Sequence, residues 1–184
     1  FTKADLTLLP VSGLPEYLAQ DSLRAILLDK DGRVPEKPVP SDRDYRLKRP
    51  TPRSFDDCCN EFWNLSHYVA RGICREALFY AARHLDLMRE ELFRMLGWEA
   101  GFREGFSFSL GKQYRFLDRH MDPARWDALA GTYNLGSLSR VRAALGTCRE
   151  LFSESSRRVA AALGCPYPDY EEKVSRYLDY YLKG

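Results

Sequence analysis

Residues 54–81 read SFDDCCNEFWNLSHYVARGICREALFYA, and this stretch decides the fold. Phe55, Cys58, Phe62, Leu65 and Val69 recur at steps of three or four, which is the period of one helix face. Ser54 with Asp57 three residues later is a capping-box-like start, and Gly72 is a predicted break. Beside the apolar face runs a polar stripe: Asp57, Glu61, Asn64, Tyr68, Arg71 and, past the glycine, Arg75. The stripe is acidic at its start and basic at its end. That grading suits a ligand with one cationic part and one phosphate part. The competing reading is an ordinary solvated face, against which Trp63 and Tyr68 weigh because large aromatic rings are costly to leave in water.

The helical pattern continues toward the C-terminus. A second stretch is predicted over about 73 to 100, with Ile73, Ala77, Tyr80, Leu87, Met95 and Trp98 inward and a bend near His84. Residues 101–111 hold three glycines and no clean period, so they read as a loop before a short helix near 112–120. Asp122 and Pro123 form an N-cap and first-turn pair for a helix ending near Thr132. Ser137 caps a long helix to about Leu163, with Leu138, Val141, Leu145, Cys148, Phe152, Val159 and Leu163 inward and Gly164 as its stop. Asp169 opens the last helix, to Leu182. The expected fold is mainly α, a bundle of five or six helices.

The N-terminal part differs. Residues 2–9 and 23–28 have the length and composition of strands, with a short helix near 13–19 between them and a DKDG turn at 29–32. Two strands alone are marginal in water, so they are expected to belong to a larger sheet. Residues 33–53 are Pro-rich and carry Arg43, Arg46, Lys48, Arg49 and Arg53, an extended basic linker. The expected organisation is a sheet remnant over 1–36, a linker over 37–53 and a helical substrate-binding domain over 54–184.

Composition narrows the function classes. Hydrophobic residues make up 45% and charged residues 29% of the 184, as in a globular protein with a substantial core. The net charge of +2 is too balanced to point to nucleic acid, and no apolar run approaches the ~20 residues of a membrane span. Five cysteines, Cys58, Cys59, Cys74, Cys148 and Cys165, form no C-x-x-C pair, a pattern that fits free thiols in a reducing cytoplasm. His67, His84 and His120 make no metal motif. Lys112 in GKQYR at 111–115 sits at a predicted helix start that could hold phosphate, but the full phosphate-loop pattern is absent. Asp42 and Asp44 form a D-x-D in the linker, which favours a structural role over magnesium binding.

Several segments together carry a resemblance. CCNEFWNLSHYVARGICREALFYA (58–81), FSFSLGKQYRFL (106–117), SDRDYRLKRPTPRSFDD (41–57), ADLTLLP (4–10) and LLDKDGR (27–33) resemble the aminoglycoside 6-adenylyltransferases, also called streptomycin adenylyltransferases. The likeness covers nearly the whole chain, and Asn60-Glu61-Phe62-Trp63 is its most specific part. It implies an antibiotic-resistance transferase that moves AMP from ATP to a streptomycin hydroxyl, with magnesium. It implies a nucleotidyltransferase sheet with three carboxylates, two from a D-x-D pair after a glycine-serine turn and the third at Asp5. On that reading the first half of the sheet domain is missing, Asp5 is the one catalytic and metal-binding acid here, and the chain by itself is inactive. Asp57 and Glu61 are then candidates for substrate guanidinium groups, with Trp63 packing on a ring beside Asn64 and Tyr68. Arg71, Arg75 and Lys112 are candidates for the phosphates of ATP.

Two other readings stay open. One is a non-catalytic helical module that binds substrate for a separate nucleotidyltransferase. The other is a nucleic-acid contact through residues 43–53, for which a steep salt dependence is the signature.

Overall fold

The structure, a computed structural model, describes residues 2–34 and 36–183. The chain divides into two compact units, one up to Arg46 and one from Leu47 on.

In the first unit the only α-helix among the described residues is α1 (Leu14–Ala19), which follows a 3-10 turn at Val11–Gly13. The strands expected over 2–9 and 23–28 are not formed among the described residues. A strand needs a neighbour for its N–H and C=O groups, and none is paired with either segment. Their side chains show the same lack: Leu6 and Leu8 are each 87% exposed and Leu27 94%. What orders this unit is local and polar. The Asp29 carboxylate accepts from the Arg33 and Val34 amides at 3.1 and 2.9 Å. Ser22 accepts from the Ser41 amide at 2.7 Å and donates to Asp44 at 3.0 Å, so part of the Pro-rich stretch folds back. Asp42 pairs with Arg46 at 3.0 Å. Both acids of the D-x-D therefore have structural partners.

The second unit is helical: α2 (Pro52–Cys74), α3 (Leu78–Glu104), α4 (Pro123–Gly131), α5 (Leu138–Leu163) and α6 (Tyr170–Lys183). The start of α2 lies earlier than expected. Thr51 is the N-cap and Ser54 the third helical residue, and each side chain accepts from the other's backbone amide, at 3.1 and 2.9 Å. Serine takes the place that Glu or Gln usually fills in this reciprocal motif. Gly72 is no break. A Cβ there would lie 2.8 Å from the backbone of Ala81, so glycine is what lets α2 and α3 touch. The chain turns at Arg75–Ala77, with Glu76 at φ 54°.

The core lies between α2, α3 and α5. Phe62 and Phe152 stack at 3.6 Å, and Trp63 packs edge-on against both. On α3 the inward residues are Ala81, Leu85, Met88, Leu92 and Met95, while Tyr80 and Leu87, expected inside, are exposed. Charged residues occupy several of the buried positions of this helix. Arg89 is fully buried, donates to the Thr132 carbonyl at 2.7 Å, pairs with Asp86 and lies 3.7 Å over the Tyr133 ring. Glu99 takes a two-pronged pair from Arg125 at 2.9 and 3.0 Å and a third bond from Arg158 at 2.6 Å. These contacts fix α4 and its following loop to α3, and α5 to both.

The remaining boundaries follow local chemistry. Asp122 accepts from the Ala124 and Arg125 amides, Ser137 caps α5, and Gly164 closes it in the left-handed conformation at φ 68°. The expected helix over 112–120 is instead two 3-10 turns, Lys112–Tyr114 and Leu117–His120. Gln113 and Tyr114 both sit at positive φ, which an α-helix does not accommodate. Among the described residues no helix is long and apolar enough to cross a membrane. All five cysteines are free; burial pushes the Cys148 thiol up to about 12.

Candidate functional site

The polar stripe of α2 is exposed along its length, and its basic half borders a groove of about 440 Å³. Asn64, His67, Tyr68, Arg71 and Arg75 form one wall, and Tyr177 and Tyr181 of α6 the other. No carboxylate among the described residues lines it. Among the described residues neither Arg71 nor Arg75 forms an ion pair, whereas Arg53, near the acidic end of the stripe, lies 3.8 Å from Asp57. A groove with two arginines and no acid favours an anion.

The other end of the stripe has the opposite sign. Asp57 and Glu61 are exposed, and Glu91 of α3 lies buried beside this end. Burial pushes the Glu91 carboxyl above the usual range against the pull of Cys58 and Arg94, and the like charges of Glu61 and Glu90 add to the rise. A cation placed there relieves that repulsion.

The structure thus brings Asn64, Tyr68, Arg71 and Arg75 into one cavity. Asp57 and Glu61 lie on the same helix face but outside the cavity lining. Trp63 is elsewhere. It stands about 200° around the helix from Glu61, is 2% exposed, and lines a separate groove with Glu150, Glu154 and Asp179. Lys112 is exposed on its 3-10 turn and is not part of the arginine groove. Asp5 is exposed and pairs with Lys3 at 3.1 Å. A magnesium ion requires several oxygen ligands held together. Among the described residues no three His, Cys, Asp or Glu side chains come together to hold a metal, so Asp5 alone does not make that site.

Sequence reasoning missed His67, Tyr177 and Tyr181. The four-residue step from Tyr177 to Tyr181 was the available signal, since it puts both rings on one face of α6.

Similarity to known proteins covers nearly the whole chain. An aminoglycoside 6-adenylyltransferase of Campylobacter jejuni is 46% identical over 177 residues, 96% of this chain and 62% of that protein. Those of Bacillus subtilis (strain 168) and Staphylococcus aureus are 41% and 38% identical, again over 96% of this chain and 63% of theirs. The chain therefore spans less than two thirds of the length of the curated relatives it matches. The crystal structure of an aminoglycoside 6-adenyltransferase from Bacillus subtilis superposes with a TM-score of 0.71 at 34% identity, covering 95% of this chain and 65% of that one. The sequence profile of streptomycin adenylyltransferase matches residues 1–181, and by that match the chain belongs to the streptomycin adenylyltransferase family.

Proposed function

We propose that this chain works in an aminoglycoside 6-adenylyltransferase, which moves AMP from ATP to a hydroxyl of a streptomycin-like antibiotic and releases pyrophosphate. The observation that carries the reading is the graded stripe. Asp57 of α2 and Arg75, the residue that caps its C-terminus, are 18 positions apart, a reach of about 27 Å at 1.5 Å per residue. That is long enough for two ligands end to end. Asp57 and Glu61 face the guanidinium groups, where a carboxylate makes a charge-assisted pair. Arg71 and Arg75 hold phosphate oxygens and balance the charge that builds on the leaving pyrophosphate.

The same reading assigns residues 1–36 to a nucleotidyltransferase sheet, 37–53 to a linker and 54–184 to substrate binding. The exposed leucines of 2–9 and 23–28 support it, because they are what unpartnered strands would show. Asp5 is the carboxylate this chain contributes to that sheet. The metal that serves such transfers, magnesium, takes its remaining ligands from elsewhere. The free thiols support a reducing, cytoplasmic setting for it.

A second reading is a binding module that serves a separate nucleotidyltransferase, favoured by the lack of a three-donor metal cluster among the described residues. Mass spectrometry of streptomycin after incubation with ATP, magnesium and the chain separates the two. Under the first reading the 184-residue chain binds streptomycin and gives no product alone, and a single polypeptide of the relatives' length that contains it does. Product only after mixing with a separate nucleotidyltransferase supports the module. Calorimetry adds a residue-level check: Glu61→Gln weakens streptomycin binding by about fivefold, the size expected of an exposed ion pair, and leaves ATP binding unchanged.

A further inference from the structure

The arginine groove has a second wall that the adenylyl-transfer reading does not yet use. Tyr177 and Tyr181 stand on one face of α6 with ring centroids 4.5 Å apart and planes inclined by 40°. His67 of α2 reaches toward them, 5.1 Å from Tyr177. The two tyrosines are packed on each other yet remain 47% and 49% exposed, so ring surface stays open to the groove side. Facing them across about 440 Å³ are Arg71 and Arg75, which have no acid beside them in the lining.

A ligand that satisfies both walls has a flat π-system at one end and an anionic head at the other. Simple anions leave the tyrosines unused, and a polyamine or aminocyclitol meets the wrong charge. We infer that Tyr177 and Tyr181 form the base-stacking wall of a nucleotide site whose phosphates Arg71 and Arg75 hold. The inference rests on the reading of ATP as donor and deepens it by giving α6 a role. Stacking a base on an aromatic side chain is tolerant of ring orientation, so inclined rings serve.

The test is calorimetry on the 184-residue chain with three probes: ATP, inorganic tripolyphosphate and adenosine. Replacing both rings (Tyr177→Ala with Tyr181→Ala) is expected to weaken ATP about tenfold and to leave tripolyphosphate within about twofold. The paired Phe variant keeps ATP affinity, because the ring and not the hydroxyl is used. Arg71→Ala with Arg75→Ala weakens ATP and tripolyphosphate together and leaves adenosine unchanged. Circular dichroism reports whether α6 is retained in each variant. The inference is overturned if wild type fails to bind ATP, if the Ala pair leaves ATP affinity unchanged, or if it weakens tripolyphosphate as much as ATP. ATP binding indifferent to the tyrosines, alongside AMP transfer to streptomycin by a polypeptide of the relatives' length, removes the stacking wall and keeps the adenylyltransferase. Tyrosine-dependent ATP binding with no transfer to any aminoglycoside does the reverse.

Discussion

The unit up to Arg46 and the unit from Leu47 on both contain leucine-rich stretches, and they treat them in opposite ways. Leu6, Leu8 and Leu27 face water, whereas Leu85, Leu92 and Leu145 are fully or almost fully buried. A helix satisfies its own backbone and needs only one face covered. An extended segment needs a neighbour before its side chains can be gathered on one face. The difference lies in the partners within reach of each leucine.

That contrast can be broken by mutation. The largest effect is expected at Phe152→Ala, which empties the stack on Phe62 and removes about 3–5 kcal/mol of stability in urea unfolding of the chain. Arg125→Ala comes next. It strips the two-pronged partner from nearly buried Glu99 and is expected to cost about 3 kcal/mol, with Arg158 left to moderate the loss. The same site sets a pH signature. Burial raises the Glu99 carboxyl, but the bonds from Arg125, Arg158 and Ser155 outweigh it and hold the group below its ordinary 4.5. A lowered acid contributes its stability above the unfolded value and loses it as pH falls through the folded one. Stability should therefore decline as pH falls below about 4.5, and Glu99→Gln should flatten that decline in unfolding curves at stepped pH. Thr51→Ala removes half of the reciprocal cap and is expected to cost about 1 kcal/mol, seen as a lower urea midpoint at unchanged slope. Smallest is the pair Leu6→Ala and Leu8→Ala, expected to leave the unfolding of the helical unit unmoved; a drop comparable to Phe152→Ala would show that these leucines are not free.

What the sequence revealed divides along the same line. Caps at Asp122, Ser137 and Gly164 act within a few residues, and each was legible. The inward face of α3 was legible only in part, because Arg89 and Glu99 occupy buried positions by virtue of partners 43 and 26 residues away. Met95 and Trp98 read inward correctly, but a periodicity count takes such charges for solvent-facing and sets Tyr80 and Leu87 inside. The candidate site split likewise. Asn64, Tyr68, Arg71 and Arg75 share one helix face and could be read off their spacing. The opposing Tyr177 and Tyr181 come from a helix about a hundred residues later, and no local pattern ties them to α2. Trp63 looked like a neighbour of Glu61 in sequence and lies across the helix from it.

Gly72 gives the bundle an unusual kind of sensitivity. It touches no proposed ligand, yet α2 meets the backbone of α3 there with no room for a methyl group. Arg71 precedes it and Cys74 and Arg75 follow within one turn. A larger residue at 72 displaces the helix end that carries both arginines. In a scan of α2 for the proposed ATP binding, position 72 should therefore score like a binding residue while purified variants remain folded and helical, a steric hit that a binding screen alone would file under chemistry.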